Sequence, residues 1–425
     1  MNIRENLQPV LRALESRNYR LFFFGQGLSL IGTWMTQTAT IWLVYHLTGS
    51  ALLLGVVGFA QQIPNFVLSP FAGVLVDRWN RRRTLVITQV LSMIQSLALA
   101  ALSFSGHIQI WHVIVLSLFQ GCVNAFDMPT RQTFVVELVE RRENLSNAIA
   151  LNSSLFSGAR LVGPAIAGLL IAAVGTSMCF LIDGVSYIAV IAGLLAMRIR
   201  PRQVLATQAA DTILKKLKEG FQYAFGFAPI RSILLLIALV SLVGMPYTVL
   251  VPIFATNILK GGPETLGFLM AASGLGALIS AVYLSSRSTI VGLGKLIAIA
   301  PAIFGVALIV FSQSRVLWLS LLAMFVLGGS LILQSTSSNT ILQTIVDEDK
   351  RGRVMSLYTI AFISMATFGN LFAGTLANHI GAPTTLVFGG IACIAGSLYF
   401  GRQLPALRKL VLPIYDRIGL LEHHS

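Results

Sequence analysis

Charge is what this chain has least of. Only 11% of its 425 residues are Asp, Glu, Lys or Arg, against about 25% in an ordinary soluble domain. With 55% hydrophobic residues and a mean hydropathy of +0.79, a water-soluble globule is excluded. Cysteine is nearly absent. Cys122, Cys179 and Cys393 stand far apart in apolar runs, an odd count with neither disulfide nor metal-site spacing. Histidines number six, and none clusters with carboxylates, so no metal site is expected. There is no Gly-x-Ser-x-Gly, His-Glu-x-x-His, phosphate loop or dinucleotide fingerprint, so an enzyme is not expected. A cleavable leader is not expected either: the basic start runs into a full-length apolar stretch, read as an uncleaved first span.

Long apolar runs are what the chain does have. A span needs about 20 mostly apolar residues. Spans are predicted at 20–45, 51–76, 84–105, 109–131, 147–174 and 177–198, then at 230–258, 265–286, 292–313, 316–340, 354–379 and 383–402. The fold class predicted is an all-α membrane protein, twelve transmembrane helices in two pseudo-symmetric six-helix bundles. The bundles occupy 1–198 and 230–402, with a linker at 199–229 and a tail at 403–425.

The net charge of +14 comes from basic residues parcelled between apolar runs, so it points to membrane topology rather than nucleic acid. The odd-numbered turns hold only Lys260 and Arg315 of the thirty Lys and Arg, and Arg160 sits inside a span. By the positive-inside rule both termini are therefore cytoplasmic. In the linker, Ile213, Leu214, Leu217, Phe221 and Phe225 fall near one helical face. This fits an amphipathic helix on anionic inner-leaflet lipid, with a solvated linker as the alternative.

The two halves repeat each other. A shift of 212 aligns Ser29, Gly32, Thr36, Gly49 and Gly55 with Ser241, Gly244, Thr248, Gly261 and Gly267. A shift of 207 aligns Gly121 with Gly328 and Ser157 with Ser364. Duplicated bundles of this kind are typical of secondary transporters, with the solute bound near the midplane.

Polar residues inside the spans are the functional candidates. Ser117, Gln120, Asn124, Asp127 and Arg131 step by three, four, three and four along span four, which is one helical face. Arg160 lies in span five, within reach of Asp127 by helical rise, so a direct or water-bridged pair is feasible. Asp127, Arg131 and Arg160 form the expected coupling group, because charge at membrane depth is costly and needs a function. Exchange of the arginine partner for a proton and a permanent ion pair both remain open. Asp183 in span six, with no basic partner in view, is expected to be structural.

The turn after span two, Gly73-Val-Leu-Val-Asp77-Arg78-Trp-Asn80-Arg81-Arg82, resembles the Gly-x-Leu-x-Asp-Arg-x-Gly-Arg-Arg motif of the major facilitator superfamily. Asn80 stands at the second glycine, where it tolerates a left-handed backbone. Gly158-Ala-Arg160-Leu-Val-Gly163-Pro164-Ala-Ile-Ala-Gly168 partly resembles the superfamily's exporter motif. Together with Ala125-Phe-Asp127-Met-Pro129-Thr-Arg131-Gln, it is similar to the bacterial efflux branch related to the enterobactin exporter.

The resemblance implies a cytoplasmic latch of Gly73, Asp77, Arg78, Arg81 and Arg82, with Asp77 facing the start of span eleven near Val354. The alternative is that these arginines only hold topology. Gly158, Gly163, Pro164 and Gly168 would serve helix packing and bending. A solute cavity lined by spans one, four, seven and ten is also implied, offering Trp34, Gln37, Gln120, Asn124, Tyr247 and Gln334. Some of these polar groups would instead be interhelical hydrogen bonds.

The function expected is proton-coupled export of a small amphipathic molecule by alternating access. It would need no cofactor beyond an ion gradient and would act as a monomer in the bacterial inner membrane. A lipid or metabolite carrier or importer on the same scaffold, and a non-transporting receptor, are the alternatives.

Overall fold

A computed structural model describes residues 12–76, 79–139, 144–197, 220–287 and 289–417. Within those residues the regular structure is helical. In a bilayer core no water satisfies backbone N–H and C=O groups, and a helix closes those bonds within the segment. After a short 3-10 turn at Arg12–Glu15 come α1 (Arg17–Thr48), α2 (Ala51–Val76), α3 (Arg81–Phe104), α4 (Ile110–Leu138), α5 (Leu145–Val174) and α6 (Thr176–Ala196). The second set is α7 (Ala228–Ile258), α8 (Pro263–Ser285), α9 (Leu293–Gln313), α10 (Leu317–Ile345), α11 (Glu348–Ile380) and α12 (Ala382–Arg417).

Eleven helices among the described residues are long and apolar enough to cross a membrane. The twelfth, α1, is 32 residues long, but Gln26, Ser29, Thr33, Thr36, Gln37, Thr38 and Thr40 dilute its hydropathy. Most of that polar surface is covered by protein: Gln26, Ser29, Thr38 and Thr40 are buried.

The chain divides into two compact units. The first is built on α1–α6 together with residues 260–271; the second holds the remainder of α7–α12 together with residues 54–56. In the first, α6 packs on α1 and α3, α5 packs on α1, and α3 packs on α4. In the second, α12 packs on α7 and α9, α11 packs on α7, and α9 packs on α10. Each contact of one unit has its counterpart six helices later. The sequence repeat is thus a repeat of packing.

Three elements differ from the sequence expectation. α12 does not stop at 402 but runs on to Arg417, taking in Pro405 and Pro413. α7 is interrupted at 244–246, where Pro246 supplies no N–H and Met245 N–H bonds back to Val240 O at 3.1 Å. Asn80 does not adopt a left-handed backbone. It has φ −69° and ψ 108°, and its side-chain oxygen accepts from Arg83 N–H at 3.0 Å as the N-cap of α3. Of the linker helix, residues 198–219 lie outside the described residues, while 220–226 are helical with Phe221 stacked on Phe225 at 4.1 Å.

One end of the first unit is tied by polar contacts at helix termini. Ser16 Oγ donates to Leu138 O at 3.0 Å, and Tyr19 Oη donates to Ala148 O at 2.8 Å. Asn147 Oδ1 accepts from Ala13 N–H at 3.0 Å. Beneath them Tyr19, Phe22, Leu85, Phe134, Leu138 and Leu194 form a buried cluster.

The glycines of α5 separate by role. A Cβ at Gly163 would lie 2.5 Å from Trp34 Cβ and 3.0 Å from Ile31 O, so only glycine lets α5 approach α1 there. A Cβ at Gly168 would lie 2.7 Å from Pro263 O, within the same unit. At Gly158 the space is open, so this glycine has no part in close packing. Gly163→Val is therefore expected to cost about 1–3 kcal/mol by overpacking, whereas Gly158→Val stays within about 0.5–1 kcal/mol of wild type. Thermal unfolding of the purified variants in detergent checks the contrast, which equal midpoints would contradict.

Candidate functional site

The buried charge of the first unit is built on α4. Helical spacing puts Asp127 and Arg131 on the same face, and Arg131 Nη2 lies 3.1 Å from Asp127 Oδ2. The aspartate side chain is only 7% exposed and the arginine 22%. The second carboxylate oxygen is held from α3: Thr88 Oγ1 and Gln89 Nε2 each donate to Asp127 Oδ1 at 2.8 Å. One carboxylate thus receives three donors, one of them cationic. Such an arrangement repays the cost of removing the charge from water only because both oxygens are engaged.

α3 supplies residues that the sequence reading passed over. Thr84, Thr88, Gln89, Ser92, Gln95 and Ser96 are all buried, spaced as one stripe along the helix. Ser92 Oγ accepts from Gln120 Nε2 at 3.0 Å, and Gln120 also donates to Asn124 Oδ1 at 3.1 Å. Gln120 and Asn124, expected to meet solute, are therefore engaged within the bundle. Further along α3, Ser96 Oγ donates to Asp183 Oδ2 at 2.8 Å. Asp183 is 1% exposed and hydrogen-bonded as expected, while its Oδ1 has no hydrogen-bond partner. The 3.6-residue recurrence of hydroxyls and amides in span three was the signal available for this stripe.

Arg160 is not part of the Asp127 cluster. It is the sixteenth of the 30 residues of α5, and its guanidinium lies over the ring of Trp34, 5.7 Å from the centroid. Phe156 meets the same indole edge-on, with centroids 5.7 Å apart and planes at 70°. The expected pairing with Asp127 does not form, because Arg131 on the same helix as Asp127 already satisfies the acid. Gly163 makes the Trp34 position possible by leaving its own side free. A cation–π contact is worth about 0.5–2 kcal/mol, while an arginine at the helix centre costs at least about 2.5–3.5 kcal/mol to insert. Trp34 alone does not balance that charge.

The remaining expected residues fall into place unevenly. Gln37 lies half-buried on α1, one turn beyond Trp34. Tyr247 has no exposed surface: its hydroxyl hydrogen-bonds with Ser273 Oγ at 2.9 Å and its ring packs edge-on to Phe304. Gln334 is 1% exposed, with Nε2 unpartnered. Neither offers surface to a solute in this structure. Gln334 and Ser338, the repeat counterparts of Asp127 and Arg131, carry no charge.

Of the latch motif, Asp77 and Arg78 lie outside the described residues, and Gly73 is in the last turns of α2. Arg81 and Arg82 are used inside the first unit. Arg81 pairs with Glu137 at the end of α4. Arg82 donates to Leu194 O and Leu195 O, both at 2.7 Å, closing the carboxyl end of α6 where cationic donors are favoured. For these two arginines the structure shows stapling of helix ends.

A family model described as transmembrane secretion effector matches residues 10–411. The staphyloferrin A transporter of Staphylococcus aureus is 25% identical over 388 residues, covering 90% of this chain and 95% of that one. The multidrug efflux pump Tap of Mycolicibacterium fortuitum is 27% identical over 389 residues, covering 86% and 91%. Among solved structures, the nucleoside transporter NupG superposes with a TM-score of 0.65 at 15% identity, over 92% of this chain and 98% of that one.

Asp127→Ala would strand Arg131 and leave the Thr88 and Gln89 donors without their acceptor. It is expected to cost about 3 kcal/mol, read as a lowered unfolding midpoint in detergent. Asp127→Asn keeps an acceptor oxygen and is expected to cost less. A midpoint for Asp127→Ala equal to wild type would show that the cluster does not hold α3 to α4.

Proposed function

Because the chain belongs to the transmembrane secretion effector family of the major facilitator superfamily, and is a multi-pass membrane protein whose relatives are efflux transporters, we propose that it exports a small amphipathic molecule. Export is coupled to protons by alternating access, in a bacterial inner membrane with both termini cytoplasmic. The observation that carries the coupling is the buried Asp127–Arg131 pair, bridged to α3 by Thr88 and Gln89. A proton on Asp127 removes the charge that holds Arg131 and changes the acceptor offered to α3. The site therefore has two bonding arrangements for one backbone. A two-state element of this sort is what a coupling ion must bias.

Coupling rests on Asp127 and Arg131 in this reading, with Arg160 acting elsewhere. Solute contact is assigned to the half-buried Trp34 and Gln37. Gln120 and Asn124 tie the α3 stripe to α4 behind it. Asp77 and Arg78 remain proposed latch residues for the cytoplasmic side. No cofactor is invoked, and the protein is proposed to act as a monomer, with anionic inner-leaflet lipid against its basic linker.

The test is transport by purified protein in inside-out proteoliposomes with an acidic lumen, across a panel of amphipathic solutes. Wild type is expected to accumulate at least one of them, and an uncoupler should abolish the accumulation. Asp127→Asn is expected to lose uphill accumulation at least tenfold while downhill exchange persists. Undiminished accumulation by that variant would remove Asp127 from coupling. Gradient-driven movement only in the opposite direction would instead favour an importer or a lipid or metabolite carrier.

A further inference from the structure

Arg160 poses a problem that the coupling cluster does not solve. Its position is the middle of α5, too far from either helix end for the side chain to reach the aqueous boundary. Among the described residues of α1–α6 the acids are otherwise engaged: Asp127 by Arg131, Asp183 by Ser96, Glu137 by Arg81. What Arg160 touches is the face of Trp34.

The side of α5 on which it lies is also defined. At about 100° per residue, Ser153 and Phe156 fall within about 40° of Arg160. Both are exposed. Exposed apolar residues lie on both sides of α5: Ile149 and Val174, toward its two ends, fall within about 40° of Arg160, and Val162, Ile166 and Leu169 about 120–180° away. At the depth of Arg160 itself its own side carries a hydroxyl and two aromatic rings, with the apolar stripe of Val162, Ile166 and Leu169 opposite.

We infer that Arg160, Trp34 and Phe156 form an anion-recognising subsite, and that the exported solute bears a carboxylate on an apolar or aromatic body. A cation–π contact with the indole uses none of the guanidinium N–H groups, so the fork is left to grip a carboxylate through two parallel hydrogen bonds. Phe156, 44% exposed and edge-on to Trp34, supplies the surface for the apolar body. Ser153 adds a hydroxyl one helical turn before Phe156. This cation stands on a different helix from Asp127 and makes no contact with it. Recognition and coupling are thereby separated between α5 and α4. The assignment deepens the transport reading and rests on it.

A matched pair of probes tests it: 1-naphthoate and its neutral isostere 1-naphthamide, measured by equilibrium dialysis against full-length protein in lipid nanodiscs. Wild type is expected to bind the acid at least tenfold more tightly than the amide. Arg160→Gln is expected to bring the two within twofold by weakening the acid alone. Trp34→Leu is expected to weaken both. If Arg160→Gln is not recovered folded, Arg160→Lys carries the test. It keeps the charge and loses the fork, and its preference for the acid should fall at least threefold.

The inference is overturned if wild type shows no preference for the acid, or no saturable binding of it. It is equally overturned if the preference survives unchanged in the arginine variants. Solute flux without acid preference would sink the subsite and leave the transport reading standing. Acid preference without flux of any solute would do the reverse.

Discussion

A charge placed at membrane depth has to be balanced where it stands, since no water is there to do it. Much of the first unit follows from that constraint. Asp127 is balanced by an arginine one turn along its own helix and by two donors from α3. Those donors must be polar, so α3 carries a stripe of hydroxyls and amides. That stripe must itself be covered, so all six of its residues are buried against neighbouring helices. Two residues of that stripe, Thr88 and Gln89, are thus explained by a carboxylate on another helix. Asp183 extends the same logic, meeting Ser96 at the far end of the stripe.

Much of the architecture was legible beforehand because membrane spans announce themselves by length and composition. The repeat was legible for a similar reason: Gly121 and Gly328 mark places where another helix's backbone approaches, and duplication preserves such places. Helix ends were less accessible. α12 continues to Arg417 because the amphipathic stretch after the apolar span keeps its helical bonds, which hydropathy cannot register. Asn80 was assigned from a motif in which glycine holds the position. Its side chain caps α3 instead, a role that depends on where the helix begins.

The site was legible in part, and the failures have one cause. Spacing along one helix placed Asp127 and Arg131 together correctly, since i and i+4 are neighbours whatever surrounds them. Pairing across helices was not determined by rise. Helical rise put Asp127 and Arg160 within reach of each other, yet the acid's oxygens are occupied by Arg131, Thr88 and Gln89 and the guanidinium lies over Trp34. Tyr247 and Gln334 illustrate the same limit. Their polarity made them cavity candidates, and only packing shows that they are covered.

Gly163 links the packing to the chemistry. A side chain there would collide with Trp34 Cβ, so the exporter-like glycine does more than let two helices approach. It sets the indole where Arg160 can lie over it, and the same indole meets Phe156 on α5. An isolated cation–π contact recovers only about 0.5–2 kcal/mol, less than the cost of the buried charge. Trp34 therefore does not fully neutralise Arg160. The Asp127–Arg131 pair is different: Asp127 receives three donors, and its charge is satisfied within the bundle. Arg131 is answered by an acid of its own helix, whereas the proposed role of Arg160 is to meet a carboxylate that the solute brings. On that proposal the charge on α4 belongs to the bundle and the charge on α5 discriminates among solutes.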